Sequence, residues 1–508
     1  MTARNRTFSA VKSATCLAAL AIAGMAAPAQ ADTLRDALVA VYNTNPTLEG
    51  ARAQQRANDE NVPIAQADSL PSLEASGGLT EFIRPNSTSF FAPSRIFTAG
   101  VDLGVPIYQG GAVRNNIAAA RERVEAGQAD LRGTESAVFS QAVAAYMDVL
   151  RAEALTELAQ NQVEVLRVTF QSTSDRFEIG DLTITDVAQA QSRLALAESD
   201  LETARSNLIA ARENYILIVG LAPDNLQPPP PLPGLPDTVG EAVVTALDNN
   251  PDLIAARERA EAAGFDSEVA GSGRLPRLSF FAGYDYQNTL GTIPDQVIQP
   301  GQPGNSGTDP LIIPSDQTAT GIQAGISFRI PLFQGGRPAA QQRQAYARET
   351  AALEQVIATE RSVIQQTRAA YASWRASNAV IESSLAAVEA AELSLEGVRA
   401  GNSIGNRTII EVLNAEQELL SARAQLVTAR RNAYVAGFTL LAAMGQAEAR
   451  DLNLDTGGPL YDPQANYDRV DGRIWDWDRD PEPAPNSTRT VDIPPATDLI
   501  GPVLDPNE

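Results

Sequence analysis

The feature that most constrains this chain is that it is written twice. Asp36-Ala-Leu-Val-Ala-Val-Tyr-Asn-Thr-Asn-Pro-Thr-Leu48 matches Glu241-Ala-Val-Val-Thr-Ala-Leu-Asp-Asn-Asn-Pro-Asp-Leu253 at an offset of 205 positions. Leu70-Pro-Ser-Leu73 matches Leu275-Pro-Arg-Leu278 at the same offset. From Pro106-Ile-Tyr-Gln-Gly-Gly111 and Pro331-Leu-Phe-Gln-Gly-Gly336 onward the offset is 225, and it holds through Tyr146 and Tyr371, Gly180 and Gly405, and Gly220 and Gly445. Whatever supersecondary unit one copy forms, the other forms too. The 20 extra positions of the second copy fall between Leu290 and Gln317, a Gly/Pro/Asn/Asp-rich stretch expected to be a long exposed loop between two strands.

Each copy reads helix, strand, loop, strand, very long helix, short break, helix. The first occupies 32–220 and the second 239–445; the proline-rich linker at 221–238 cannot continue a helix. An acidic, proline-rich tail at 446–508 is expected to be mostly irregular or disordered. At the other end, Arg4, Arg6 and Lys12 precede an apolar run and then Ala29-Gln30-Ala31, so residues 1–31 read as a secretory signal peptide. The lone cysteine, Cys16, leaves with that signal, and the exported chain retains neither cysteine nor lysine.

Composition then narrows the function. With no histidine and no cysteine after export, the usual general base, metal ligand and thiol nucleophile are missing, so the chain is expected not to be an enzyme and to need no cofactor or metal. A formal charge of −23, which becomes −26 once Arg4, Arg6 and Lys12 are removed, repels phosphate backbones and argues against nucleic acid as a partner. After the signal, no stretch reaches the roughly 20 apolar residues of a membrane helix. Entry into a membrane would therefore require a barrel.

The strands suit one. Expected near 70–84, 95–108, 275–289 and 318–333, they show period-two alternation. Phe97, Ala99, Val101, Leu103 and Val105 share one face, as do Ile322, Ala324, Ile326, Phe328 and Ile330. Leu278, Phe280, Ala282, Tyr284 and Tyr286 form a weaker third row. Four such strands could cross an outer membrane when tilted, but about eight is the smallest closed barrel, so several protomers would be needed. Taken alone, the strands fit a soluble sandwich equally well.

The long helices, from Ala112 to about 178 and from Pro338 to about 399, would each approach 100 Å at about 1.5 Å per residue. Val138, Ala142, Ala145, Val149, Ala152, Thr156, Ala159, Val163, Leu166 and Phe170 keep a four-three spacing. Val363, Thr367, Ala370, Trp374, Ser377, Ile381, Ser384, Val388, Ala391 and Leu395 occupy the equivalent places. This is a coiled-coil seam whose small residues permit close approach. Shorter helices, roughly 34–62 and 185–219 in the first copy, are long enough together to flank the rod if stacked end to end. The glycine pairs at 110–111 and 335–336 lack a following Walker lysine and read as strand-to-helix turns.

The duplicated plan, the paired Pro-x-aromatic-Gln-Gly-Gly junctions and two turn motifs, Gly180-Asp-Leu-Thr-Ile-Thr-Asp-Val187 and Gly405-Asn-Arg-Thr-Ile-Ile-Glu-Val412, resemble the TolC family of outer-membrane channel proteins. The resemblance covers nearly all of the exported chain to about Gly445. It implies a mixed fold, all-α plus β-barrel, in which a homotrimer closes a 12-stranded barrel in outer-membrane lipid, continued by a coiled-coil helical barrel in the periplasm. It also implies a passive exit duct for efflux or type I secretion, working with a periplasmic adaptor and an inner-membrane transporter. A soluble periplasmic coiled-coil scaffold is the alternative.

Carried over by position, the family's periplasmic gate falls on Asp186 in the first copy and on Arg407, Glu411 and Asn414 in the second. Asn414 replaces an expected carboxylate and Asn402 stands where an aromatic gate residue is often found, which lowers the charge of the ring. On local chemistry alone, Asp186 and Glu411 also suit a helix N-terminus, with Thr185 or Thr408 as capping groups.

Overall fold

The computed structural model describes residues 33–83, 92–454 and 457–499; the expected signal peptide at 1–31 lies outside them. The first copy contains α1 (Leu34–Thr44), α2 (Pro46–Asp59), α3 (Asn61–Ala67), β1 (Ser72–Glu81), β2 (Arg95–Tyr108), α4 (Ala112–Glu178) and α5 (Ile184–Val219). The second contains α6 (Val239–Asn249), α7 (Pro251–Gly271), β3 (Arg277–Asn288), β4 (Gln296–Ile298), β5 (Leu311–Ile313), β6 (Thr318–Arg329), α8 (Arg337–Ser403) and α9 (Ile409–Ala443), followed by α10 (Pro463–Val470) in the tail.

The expected helix over 34–62 is instead three helices. Asn45 has extended ψ and its side-chain oxygen accepts from Thr47 N at 2.9 Å and Leu48 N at 3.3 Å, capping α2 with Pro46 in its first turn. Its amide then donates to Ile218 O at the end of α5, at 2.9 Å. The second copy repeats this: Asn250 caps α7 through Asp252 N and Leu253 N and donates to Ala443 O at the end of α9, at 3.0 Å. One asparagine per copy therefore joins the helix break to the end of the returning helix. That is the end-to-end stacking that lets short helices flank a long one.

Each long helix has 67 residues, about 100 Å of rod. The seam positions are buried or half-buried along both: Val138, Ala142, Val149 and Thr156 on α4, and Val363, Thr367, Ala391 and Leu395 on α8, are buried. The main core lies where α1, α4, α5, α8 and α9 meet the linker. There Tyr146 donates to Gln227 O at 2.6 Å and its duplicate Tyr371 to Asp237 O at 2.7 Å, so the repeated tyrosines pin both ends of the proline-rich segment.

The strands form one antiparallel sheet in the order β1-β2-β3-β6, in which neither β1 nor β6 has a second partner among the described residues. Registers Ala75↔Val101, Val101↔Tyr284 and Tyr284↔Ile322 set one apolar row across all four strands, and Leu73↔Leu103, Leu103↔Ala282 and Ala282↔Ala324 set the next. The insertion is more ordered than a loop, because β4 and β5 pair as a small ribbon. The tail is irregular as expected apart from α10, but it is not detached. It lies against the helical body: Asn466 donates to Asp59 at 2.6 Å, and Arg212 donates to Thr497 O at 2.7 Å and Leu499 O at 2.8 Å. A disorder-prone composition is overridden here by side chains of the body that bind its backbone.

Candidate functional site

Two features are candidates for function: the turns at the far end of the rods and the faces of the sheet. The turns are the same object built twice. Gly180 has φ +82° and Gly405 φ +78°, a conformation that costs glycine nothing. Gly180 N bonds Phe177 O and Asp181 N bonds Arg176 O, while Gly405 N bonds Asn402 O and Asn406 N bonds Gly401 O; each is a Schellman closure of the long helix. Three residues after each glycine the return helix starts at a threonine cap.

That cap is Thr183 in the first copy, not Thr185; in the second it is Thr408, as expected. Both are capping boxes. Thr183 Oγ1 accepts from Asp186 N at 3.3 Å while Asp186 Oδ2 accepts from Thr183 N at 2.9 Å. Thr408 Oγ1 accepts from Glu411 N at 3.3 Å while Glu411 Oε2 accepts from Thr408 N at 2.7 Å. The Thr183 hydroxyl and amide hold Asp186 below the usual aspartate pKa, and the Thr408 amide, then the Arg407 guanidinium, hold Glu411 below the usual glutamate value. Both boxes thus favour the ionised carboxylate, with the charge of Glu411 balanced by Arg407.

The four expected gate residues are not brought into one cluster. Asp186 bonds within its own turn. Arg407, just before the cap, pairs with Glu411 in the first turn of α9 at 2.8 Å. Asn414 reaches across copies, accepting from Arg193 Nη2 of α5 at 3.0 Å. Asn402 also bridges: it accepts from Arg176 at 3.5 Å and donates to Arg407 O at 2.8 Å, so where an aromatic was expected an amide ties the two turns together. Sequence reasoning missed Arg193, whose partner lies more than 200 positions away with no local signal, and Arg176, which pairs locally with Asp181 at 2.7 Å and also reaches the distant Asn402. It also missed Glu416, buried on α9 and paired with Arg399 of α8 at 3.0 Å. The Thr183-x-x-Asp186 pattern, by contrast, was there to be read.

At the other end, the apolar row of the sheet is uncovered: Leu73 is 73% exposed, Ile322 85% and Ile326 66%. The opposite face carries Glu74, Asp102, Asp285 and Gln323, with Gln323 donating to Asp285 at 3.3 Å. A sandwich would pack a second sheet on the apolar face. Among the described residues the only other strands are the short β4 and β5, so the sandwich expectation fails for lack of a covering layer. No helix among the described residues is long and apolar enough to cross a membrane.

A sheet greasy on one side, polar on the other and open at both edges, carried on rods of this length, suits one protomer's share of a membrane barrel wall. Residues 37–221 and 242–446, one block per copy, match the family model described as outer membrane efflux protein, and the chain belongs to that family. The family match makes the chain an outer-membrane exit duct with its helical part in the periplasm. The outer membrane efflux protein BepC of Brucella suis is 30% identical over 460 residues, covering 91% of this chain and 94% of that protein. Outer membrane protein TolC of Escherichia coli is 27% identical, covering 86% and 87%. Among solved structures, the outer membrane protein VceC of Vibrio cholerae superposes with a TM-score of 0.67 at 23% identity, covering 81% of this chain and 96% of that one.

Proposed function

We propose that three copies close a 12-stranded barrel through the free edges of β1 and β6, and that their helices form a periplasmic tunnel which conducts cargo passively. The observation that carries this is the sheet itself. Two unpaired edges and an uncovered apolar face are costly in water and satisfied only by neighbouring copies and lipid. Efflux of small molecules and type I secretion of proteins both fit such a duct. On this reading a periplasmic adaptor and an inner-membrane transporter supply the cargo and the energy, and the chain itself does no chemistry and needs no cofactor. Detergent-extracted protein is expected to run as a heat-sensitive trimer; a monomer of unaltered mobility would count against closure.

The gate reading places Asp186, Arg407, Glu411 and Asn414 at the periplasmic mouth. Contact with the adaptor would shift a closed-to-open equilibrium of the helices at the Gly180 and Gly405 turns. Arg407→Glu, which sets two like charges where the 2.8 Å ion pair with Glu411 now stands, is expected to raise conductance in planar bilayers. Unchanged conductance would argue against a latch that depends on Arg407 and leave these residues as helix caps.

A further inference from the structure

The tail holds Trp475 and Trp477, two of the chain's three tryptophans. They sit in a braced turn. Asp478 N bonds Trp475 O at 3.0 Å, Arg473 pairs with Asp478 at 2.9 Å and Asp480 at 2.8 Å, and Arg469 pairs with Asp480 at 2.9 Å. The turn is fixed in place by α10, whose Tyr467 packs against the cluster of Val62, Ala65, Ala120 and Val124, and by Gln66, which donates to Asp471 at 2.5 Å. From this frame Ile474, Trp475 and Trp477 project with 71%, 72% and 73% of their surface exposed.

Position along the molecule says what covers them. Gln66 lies at the end of α3, six positions before β1 begins at Ser72, and Tyr108 at the end of β2 and Phe333 four positions past β6, both exposed, mark the same end of the sheet where the chain leads into α4 and α8. That is the level at which the strands leave the membrane for the periplasm. Tryptophan is enriched at that boundary because an indole is apolar in body and polar at its N–H. The brace also neutralises Arg469 and Arg473 against Asp478 and Asp480, leaving no basic excess to seek an anionic headgroup.

We propose that the turn at 471–480 is a membrane anchor that seats Ile474, Trp475 and Trp477 in the periplasmic leaflet of the outer membrane, against zwitterionic phospholipid. It is an outrigger beside the barrel, tying the tail and the α2–α3 region to the bilayer surface. The inference rests on the sheet being the membrane wall.

Brominated phospholipid quenches tryptophan on contact, and the remaining tryptophan, Trp374, lies in α8 away from the sheet. The full exported chain is reconstituted in phosphatidylcholine vesicles with and without bromine on the upper acyl chain. The expected result is loss of emission from the parent protein in brominated vesicles, and no loss from the Trp475→Phe/Trp477→Phe variant, which reports Trp374 alone. Adding Tyr284→Trp to that double variant places one indole on the apolar face of the sheet. Quenching of Tyr284→Trp with none at Trp475 and Trp477 overturns the anchor and leaves the wall intact. Blue-shifted but unquenched tail emission gives the surface to a protein contact, such as a second copy, and overturns it too. Absence of quenching at all positions overturns both readings.

Discussion

Replacing Val101 by arginine tests the membrane wall at its centre. Val101 lies on β2, paired on one side with Ala75 and on the other with Tyr284, in a row that ends at Ile322. Because β2 is an inner strand, the change does not touch an edge needed for closure. An arginine facing lipid near the midplane of a transmembrane barrel costs ~2–4 kcal/mol, a factor of roughly 30 to 700 in the folded-to-unfolded ratio of each protomer. Gln323 is the control, at the same height but on the opposite face, where its amide already donates to Asp285 at 3.3 Å. Gln323→Arg would donate to the same carboxylate from a wetted face, and should stay within about 0.5 kcal/mol of the parent. Urea unfolding from phospholipid vesicles, followed by heat-modified migration, gives both values. Equal losses, or a larger loss for Gln323→Arg, would refute the assignment of the apolar face to lipid.

Other perturbations probe the helical body. Glu258 of α7 faces Glu122 and Glu125, and burial, then its hydrogen bond with Glu122, pushes its pKa from the usual 4.5 up to about 7. The folded state therefore holds the extra proton, so stability falls as pH rises from 4.5 to about 7. The full shift would be worth ~3 kcal/mol, reduced to ~1 kcal/mol by the solvent that reaches the group, and Glu258→Gln should raise the thermal midpoint above that window but not below it. Thr408→Ala removes the acceptor of Glu411 N and should cost about 1 kcal/mol, with faster hydrogen exchange confined to the first turn of α9. Gly445→Ala should lower folding yield severely, because a Cβ there would stand 2.3 Å from Asn249 O at φ +71°. Gly180→Ala, with φ +82° and open space around it, should cost only ~1–2 kcal/mol of backbone strain by thermal unfolding.

The parts of this fold that could be read from sequence are those repeated or periodic. The four-three seam found α4 and α8 because each position faces a neighbour every turn, and the period-two rows found the uncovered face because one residue of slip would invert it. The threonine caps were half legible: Thr408 was expected, but the first cap fell on Thr183 because its partner Asp186 sits at the third helical position from there. The Asn45-Pro46 and Asn250-Pro251 breaks carried a capping signal that an unbroken helix ignores. What sequence could not supply was contact between distant segments. Arg193 on Asn414, Arg399 on the buried Glu416, and the tail held by Arg212 all join residues whose meeting is decided by how the rods lie together.

The equal rods carry an evolutionary consequence. α4 and α8 have 67 residues each, and the returning α5 and α9 have 36 and 35. Losing one residue from a single rod would rotate everything beyond it by about 100° and shift it by ~1.5 Å, turning its seam away from three unchanged neighbours. A change in tunnel length must therefore arrive in all four helices at once, and in near-whole heptads. The duct behaves as a ruler that can be recut only by coordinated insertions, while its loops and its tail remain free to vary one residue at a time.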